Sequence, residues 1–330
     1  MKISRGVQYS AGIVIAVACL AIFFRGVDVH RLAAEFAKYN PVMIVFIASL
    51  SILSLWFRTI RWRLMLPTAP GTHKRKLFSI VVIAFMANNI LPARMGEAAR
   101  VLLLWRKNGY APFVGIGSLV AERVFDMLTL FAFFFLPAFT LPHLSAYRYP
   151  AMCLLAAFAA GFLGLLLYRL FPKFMKACGW WMFQRLPRRM HASARKIGNE
   201  LISNLSWLWD GKRVAAIILL SLMIEYSYAL MIQMLGAAGQ PFSALQAMLA
   251  QSMASLGAAI PLAPGYIGTL HAMLLQGLVS VGIGEDRGRA IAIIFHAATY
   301  LPVTALGLWY LFRTDVTLKD ISQAKEKIDK

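Results

Sequence analysis

The hydrophobic positions of this chain are gathered into long apolar runs instead of alternating with polar residues. Six runs are about 20 residues long, the length of helix that crosses a hydrocarbon core about 30 Å thick. They lie at about 7–25, 41–62, 113–137, 150–171, 213–236 and 289–312. The pattern predicts an all-α, polytopic integral membrane protein with about six spanning helices, the first of them an uncleaved helix.

Two further apolar stretches, at about 77–107 and 244–282, are interrupted near their middle by Pro and Gly. The first break contains Pro92 and Gly96, and the second contains Pro264, Gly265 and Gly268. Each arm is too short to cross the bilayer comfortably at 1.5 Å per residue. We therefore expect two re-entrant helical hairpins.

The order helix, broken hairpin, helix occurs twice within a single transmembrane domain, at about 41–137 and 213–312. Pro92 and Gly96 recur at one constant offset as Pro264 and Gly268. Inverted repeats with paired broken helices are typical of alternating-access carriers, whose binding sites lie where the breaks meet. The alternative is a chance coincidence of two Pro-Gly breaks in a helical scaffold.

The chain carries 34 Lys and Arg against 14 Asp and Glu, and its loops decide what this charge means. Segment 57–76 has six basic residues and no acid, and segment 172–213 has nine against two acids. Because basic loops stay on the cytoplasmic side, both termini, including the tail at 314–330, are expected in the cytoplasm. Segment 172–212 mixes these charges with tryptophans, which predicts an amphipathic segment on the inner-membrane surface.

Helix starts behind the breaks, near Gly96 and Gly268, would present free amides that attract phosphate or carboxylate. Arg94 and Arg100 would reinforce the first site. Glu97 precedes Arg100 by three residues, so the two could form a structural ion pair or contact a substrate together.

Ionisable residues inside apolar runs are expensive in a membrane and face a cavity or a partner. Glu122, Arg123 and Asp126 share one predicted span, where they would bind substrate, relay ions or pair internally. Glu225 stands in another span without a local cation. His271 is isolated in sequence and would contact a head group or a proton, and Arg61 would anchor the helix end or bind lipid phosphate.

No nucleophile elbow, P-loop, zinc signature or dinucleotide fingerprint occurs in the sequence. We therefore expect neither an enzyme nor a cofactor, and no metal site. The expected partners are anionic membrane lipids, with a second copy of the chain or lipid-biosynthesis enzymes as further candidates; nucleic acid is not expected.

Four segments resemble one family over about residues 5–315. They are 58–62, 89–100, 122–126 and 264–269, read as RTIRW, NILPARMGEAAR, ERVFD and PGYIGT. The chain resembles the flippase-like transmembrane domain of lysylphosphatidylglycerol synthases and their stand-alone relatives, including hopanoid-biosynthesis-associated membrane proteins.

The resemblance implies translocation of an anionic phospholipid, a polyprenyl phosphate or a hopanoid-pathway lipid across the inner membrane. A non-catalytic partner of a lipid-modifying transferase and a proton-coupled solute carrier are the alternatives. With the residues above, the candidate substrate contacts are Arg61, Asn89, Arg94, Glu97, Arg100, Glu122, Arg123, Asp126, Glu225, Tyr266 and His271.

Overall fold

The computed structural model describes residues 17–67, 74–91, 94–149, 206–259 and 264–314, with single positions between 152 and 171 and between 316 and 321. Regular structure in these ranges is helical, which confirms the all-α class. In chain order the helices are α1 (Val29–Phe36), α2 (Pro41–Met65), α3 (Lys74–Ile90), α4 (Met95–Asn108), α5 (Pro112–Thr140), α6 (Gly211–Ala237), α7 (Ala244–Ala259), α8 (Thr269–Ser280) and α9 (Glu285–Phe312).

Polar caps fix where two of the long apolar helices begin. The Asn40 side chain accepts a hydrogen bond of 2.8 Å from the Val42 amide, and Pro41 takes the first helical position, where its missing N–H costs nothing. Asp210 caps α6 by accepting from the Lys212 amide at 3.0 Å. The apolar runs that follow therefore enter their helices at defined residues.

Three helices, α2, α6 and α9, are long and apolar enough to cross a membrane. A fourth predicted span, 113–137, is observed as the 29-residue helix α5, which carries Glu122, Arg123 and Asp126. The predicted spans at 7–25 and 150–171 lie largely outside the described residues.

Two pairs of shorter helices occupy the interrupted stretches, α3 with α4 and α7 with α8. The longest of the four, α3, has 17 residues. At about 1.5 Å per residue it measures roughly 25 Å, less than a hydrocarbon core of about 30 Å.

Each pair closes through a glycine that lies against the backbone of its partner helix. A Cβ on Gly96 would fall 1.9 Å from the Ala84 carbonyl oxygen, and a Cβ on Gly257 would fall 2.5 Å from the Thr269 carbonyl oxygen. No other residue permits so close an approach, because any side chain would occupy the contact. Both stretches thus fold back on themselves as helical hairpins.

The two breaks contact each other. Tyr300 of α9 donates a hydrogen bond of 3.3 Å to the Asn89 carbonyl oxygen at the end of α3. Gly265 of the second break packs against the same oxygen, since a Cβ there would be 3.0 Å away. Of the other break residues, Pro92 and the side chain of Pro264 lie outside the description, whereas Gly268 precedes α8 with a φ of 91°.

Most of the predicted surface segment at 172–212 and of the tail at 314–330 lies outside the described residues. At the end of the former, Trp207 is buried against Phe125 of α5, with ring centroids 5.9 Å apart, while Trp209 is half-exposed. Val316 and Ile321 of the tail are buried in the core cluster around α3.

Candidate functional site

A cavity of about 250 Å³ lies between the two breaks. Every helix from α2 to α9 contributes to its wall, which is the arrangement expected of a site built at the centre of the bundle. Seven charged side chains line it, a number that an apolar interior tolerates only where charges are paired or solvated. They are Arg58, Arg94, Glu97, Arg100, Arg123, Asp126 and Glu225.

Behind the wall a buried ion cluster joins α2, α4 and α5. Glu122, fully buried, lies 3.2 Å from a guanidinium nitrogen of Arg61 and 2.9 Å from one of Arg100. Arg61 is also fully buried and contacts Asp126 at 2.7 Å. Neither Arg61 nor Glu122 is among the cavity-lining residues. The interpretation of Arg61 as a membrane anchor is wrong, because its guanidinium is fully buried and paired with Glu122 and Asp126.

Four guanidiniums share the two carboxylates of α5. Besides Arg61 and Arg100, Arg58 lies 3.9 Å from Asp126, and Arg123 lies 3.4 Å from Glu122 and 3.2 Å from Asp126. The cluster therefore has two more positive than negative charges. With the other charged lining residues, Arg94, Glu97 and Glu225, the site as a whole keeps an excess of one positive charge. Arg58 and Arg100 are supported from the other side by aromatic rings, at 5.2 Å for Phe85 and 4.0 Å for Trp62.

Hydrogen-bond donors remain unused around the cavity. The Nε–H groups of four lining arginines are buried and have no partner within the described part of the chain. They belong to Arg58, Arg94, Arg100 and Arg123. A buried unsatisfied donor costs roughly 1–3 kcal/mol, more when charged. These Nε–H groups have almost no accessible surface, so an acceptor could reach them only if the arginine side chains moved.

Arg94 connects the first break to the second hairpin. It adopts a left-handed conformation with a φ of 50° immediately before α4, which directs its side chain across the breaks. One guanidinium nitrogen donates to the Ala258 carbonyl oxygen at 2.9 Å, and another lies 3.9 Å from Glu97. The expected pair of Glu97 with Arg100 is therefore corrected: Arg100 turns inward to Glu122 and leaves Glu97 to Arg94.

Glu225 of α6 also lines the cavity. It is 6% exposed and accepts a hydrogen bond of 3.1 Å from the Gln251 amide of α7. The other Gln251 hydrogen bond goes to Ser255 at 3.0 Å. Glu225 is thus a buried carboxylate that a neutral donor holds in place in the cavity wall.

The two histidines that look isolated in sequence form a buried pair. His271 Nε2 of α8 and His296 Nδ1 of α9 lie 3.2 Å apart, and His271 Nδ1 accepts from the Gly268 amide at 3.3 Å. His296 lines the cavity and His271 lies behind it. Within the described ranges no three His, Cys, Asp or Glu residues are grouped as metal ligands would be.

The remaining candidates also line the cavity. Asn89 donates to the Thr304 hydroxyl at 2.9 Å, and Tyr266 lies at the second break with a φ of 59°. Sequence reasoning missed Asn88, Gln251 and Tyr300 as lining residues. The only signal for Gln251 was an amide with two nearby serines inside an otherwise apolar run.

Comparison with known proteins identifies the family of this chain. The family model described as the lysylphosphatidylglycerol synthase TM region matches residues 9–307. The chain belongs to this family. It is also similar to the glycosyltransferase AglD of Haloferax volcanii, at 28% identity over 130 residues. That match covers 39% of this chain and 21% of the archaeal protein, so the chain spans only about a fifth of that relative.

Proposed function

We propose that this family member is a lipid translocase that moves an anionic lipid across the inner membrane through the cavity between the two breaks. The observation that carries the proposal is the excess positive charge of the α5 cluster, three of whose guanidinium-bearing residues, Arg58, Arg100 and Arg123, line the cavity. A phosphate-bearing head group supplies both the missing negative charge and the acceptor atoms.

In this proposal the α3–α4 and α7–α8 hairpins are re-entrant and enter the membrane from opposite sides. They belong to inverted repeats, with both termini in the cytoplasm. The breaks then lie near the middle of the bilayer, where irregular backbone is tolerated only beside protein or a wet cavity. The head group crosses this cavity while the acyl chains stay in the lipid.

The candidate substrates share one chemistry, a phosphate attached to a hydrophobic tail. Phospholipids, polyprenyl phosphates and hopanoid-pathway lipids are the classes considered. The phosphate would be held by four lining arginines, Arg58, Arg94, Arg100 and Arg123. Glu225 with Gln251 would contact the part of the head group beyond it. The excess of guanidiniums predicts that phosphatidylglycerol, with a net negative head group, is transferred faster than phosphatidylcholine.

The test is a leaflet assay with purified protein in vesicles. Fluorescent phosphatidylglycerol and fluorescent phosphatidylcholine, each labelled on the acyl chain, are placed in both leaflets, and a membrane-impermeant reductant quenches the outer one. Protein-dependent loss of the protected fraction for phosphatidylglycerol, with little for phosphatidylcholine, supports the proposal. Equal protection with and without protein, for every anionic lipid tried, would overturn it.

The second candidate is a membrane subunit that presents lipid to a transferase encoded elsewhere. The similarity to a protein whose name is that of a glycosyltransferase favours it. The purified protein alone would then bind anionic lipid without moving it, and addition of the transferase would be needed for product. The same vesicles, assayed for binding and for transfer, separate the two functions.

A further inference from the structure

Two residues of α5 line the cavity and are also exposed to solvent. Met127 lines the cavity and is 48% exposed. Arg123, one turn earlier, also lines the cavity, and its side chain is 40% exposed. Glu122, next to it in sequence, is fully buried. The cavity therefore reaches the surface along the Arg123 and Met127 side of α5.

The wall of this opening changes from charged to apolar along the helix. Arg123, Met127 and Leu130 all line the cavity, and their spacing of four and three residues puts them on one stripe of α5. At about 1.5 Å per residue, the stripe runs roughly 10 Å from the guanidinium-bearing turn to Leu130. Ala254 and Ala258 of α7 add small apolar side chains to the cavity wall.

The charge of the stripe determines the orientation of a bound ligand. The arginine end has excess positive charge, whereas the Met127 and Leu130 end offers only apolar surface. A water-soluble anion would satisfy the first and leave the second in contact with nothing favourable. An amphiphile with its anionic group beside its tail satisfies both.

We propose that the opening at Met127 is a lateral portal through which an anionic lipid enters from the bilayer, with its phosphate at Arg123 and its acyl chain passing over Met127 and Leu130. This deepens the proposed function, on which it rests for the position of α5 in the membrane. It makes Met127 a specificity-determining residue, because the side chain at this position sets the width of the mouth.

Two tryptophan variants on the same helix test the portal. Met127→Trp narrows the mouth. Leu136→Trp adds similar bulk on the opposite face of the same helix, at a position that is 46% exposed and does not line the cavity. Binding is measured with acyl-labelled phosphatidylglycerol in detergent micelles, and soluble glycerol phosphate serves as the head group without a tail. Met127→Leu, of similar volume, serves as a folding and packing control.

The expected result is that Met127→Trp weakens phosphatidylglycerol binding about tenfold, equivalent to about 1.4 kcal/mol, whereas Leu136→Trp and Met127→Leu stay within about twofold of the parent chain. Unchanged binding in Met127→Trp overturns the portal, and so does a parent chain that glycerol phosphate saturates as tightly as the lipid. If the parent chain binds lipid in a Met127-dependent manner yet moves none between leaflets, the portal stands and the translocase proposal fails.

Discussion

Arg94 of the first break donates a hydrogen bond of 2.9 Å to the Ala258 carbonyl oxygen, near the end of the helix that leads into the second break. One side chain therefore spans the two hairpins and lines the cavity between them. A head-group phosphate would compete with this carbonyl for the same guanidinium, and a charged acceptor binds it more strongly than a neutral one. Arg94 is thus placed where ligand binding and the contact between hairpins can be coupled.

Removing the Arg94 side chain should reduce lipid transfer to background while the protein stays folded. Arg94→Ala deletes a lining cation and the bond to Ala258. Arg94→Gly deletes the same groups but suits the observed φ of 50° better than any other residue, so the break itself keeps its conformation. Leaflet assays and thermal unfolding in detergent are compared for both variants.

Arg106→Ala, at an exposed position of the same helix, is the matched control and should transfer lipid at the parental rate. Parental transfer by Arg94→Gly would show that the guanidinium has no part in transport.

The helices were largely predictable from the sequence because their signals are local. Apolar runs predicted α2, α5, α6 and α9, and the Pro-Gly breaks predicted helix starts that are observed at Met95 and Thr269. These signals are the length of an apolar run relative to the bilayer thickness, the capping side chains and the conformational freedom of glycine. Each depends only on a few neighbouring residues.

The pairing of charges was not predictable, because it depends on how each helix is rotated against its neighbours. Arg100 lies three residues after Glu97 yet pairs with Glu122 of the next helix. His271 and His296 are distant in sequence and meet only because α8 packs on α9. Sequence found the set of ionisable residues, and the three-dimensional packing assigned their partners.

Neutralising Glu122 should destabilise the fold strongly. Glu122→Gln leaves the buried guanidiniums of Arg61 and Arg100 facing an amide in place of a carboxylate. Breaking a buried ion pair from one side costs about 3–5 kcal/mol, because the remaining charge has lost its compensation. Thermal unfolding in detergent should show a large decrease in the transition temperature.

Glu97→Gln is the comparison, since that carboxylate is partly exposed and its contact with Arg94 is 3.9 Å long. It should change stability by less than about 1 kcal/mol. The double variant Arg100→Gln with Glu122→Gln should lose less than the sum of its single changes. Additive losses would mean that the two residues do not interact in the folded protein.

A methyl group at Gly96 should open the first hairpin. Gly96→Ala would put a Cβ 1.9 Å from the Ala84 carbonyl oxygen and 2.6 Å from the Asn88 side-chain oxygen, which accepts from the Gly96 amide. Backbone cannot yield as a flexible side chain does, so α3 and α4 must separate, at a cost of about 1–3 kcal/mol. We expect lower thermal stability and lower transfer together.

Gly211→Ala is the control, because no atom lies within 4 Å of the added Cβ at the start of α6. Alanine is the better helix former there and should leave stability unchanged or raise it by up to about 1 kcal/mol. If Gly96→Ala behaves like Gly211→Ala, the two arms do not pack as closely as described.

Arg123 offers a test of the charge excess that is separate from folding. Its side chain is 40% exposed and contacts Asp126 at 3.2 Å and Glu122 at 3.4 Å. Both carboxylates also pair with Arg61, so the loss of Arg123 leaves no buried charge uncompensated. Arg123→Gln should slow the transfer of phosphatidylglycerol about tenfold, the effect of losing one charge-assisted contact, with little change in thermal stability.

Arg213 is the matched control for Arg123. Its side chain is also 40% exposed and pairs with Asp210 at 3.1 Å, but it lies outside the cavity lining. Arg213→Gln should therefore transfer at the parental rate, since it removes the same net charge without touching the site. Equal slowing in both variants would show that overall charge, and not the cationic cavity wall, governs transfer.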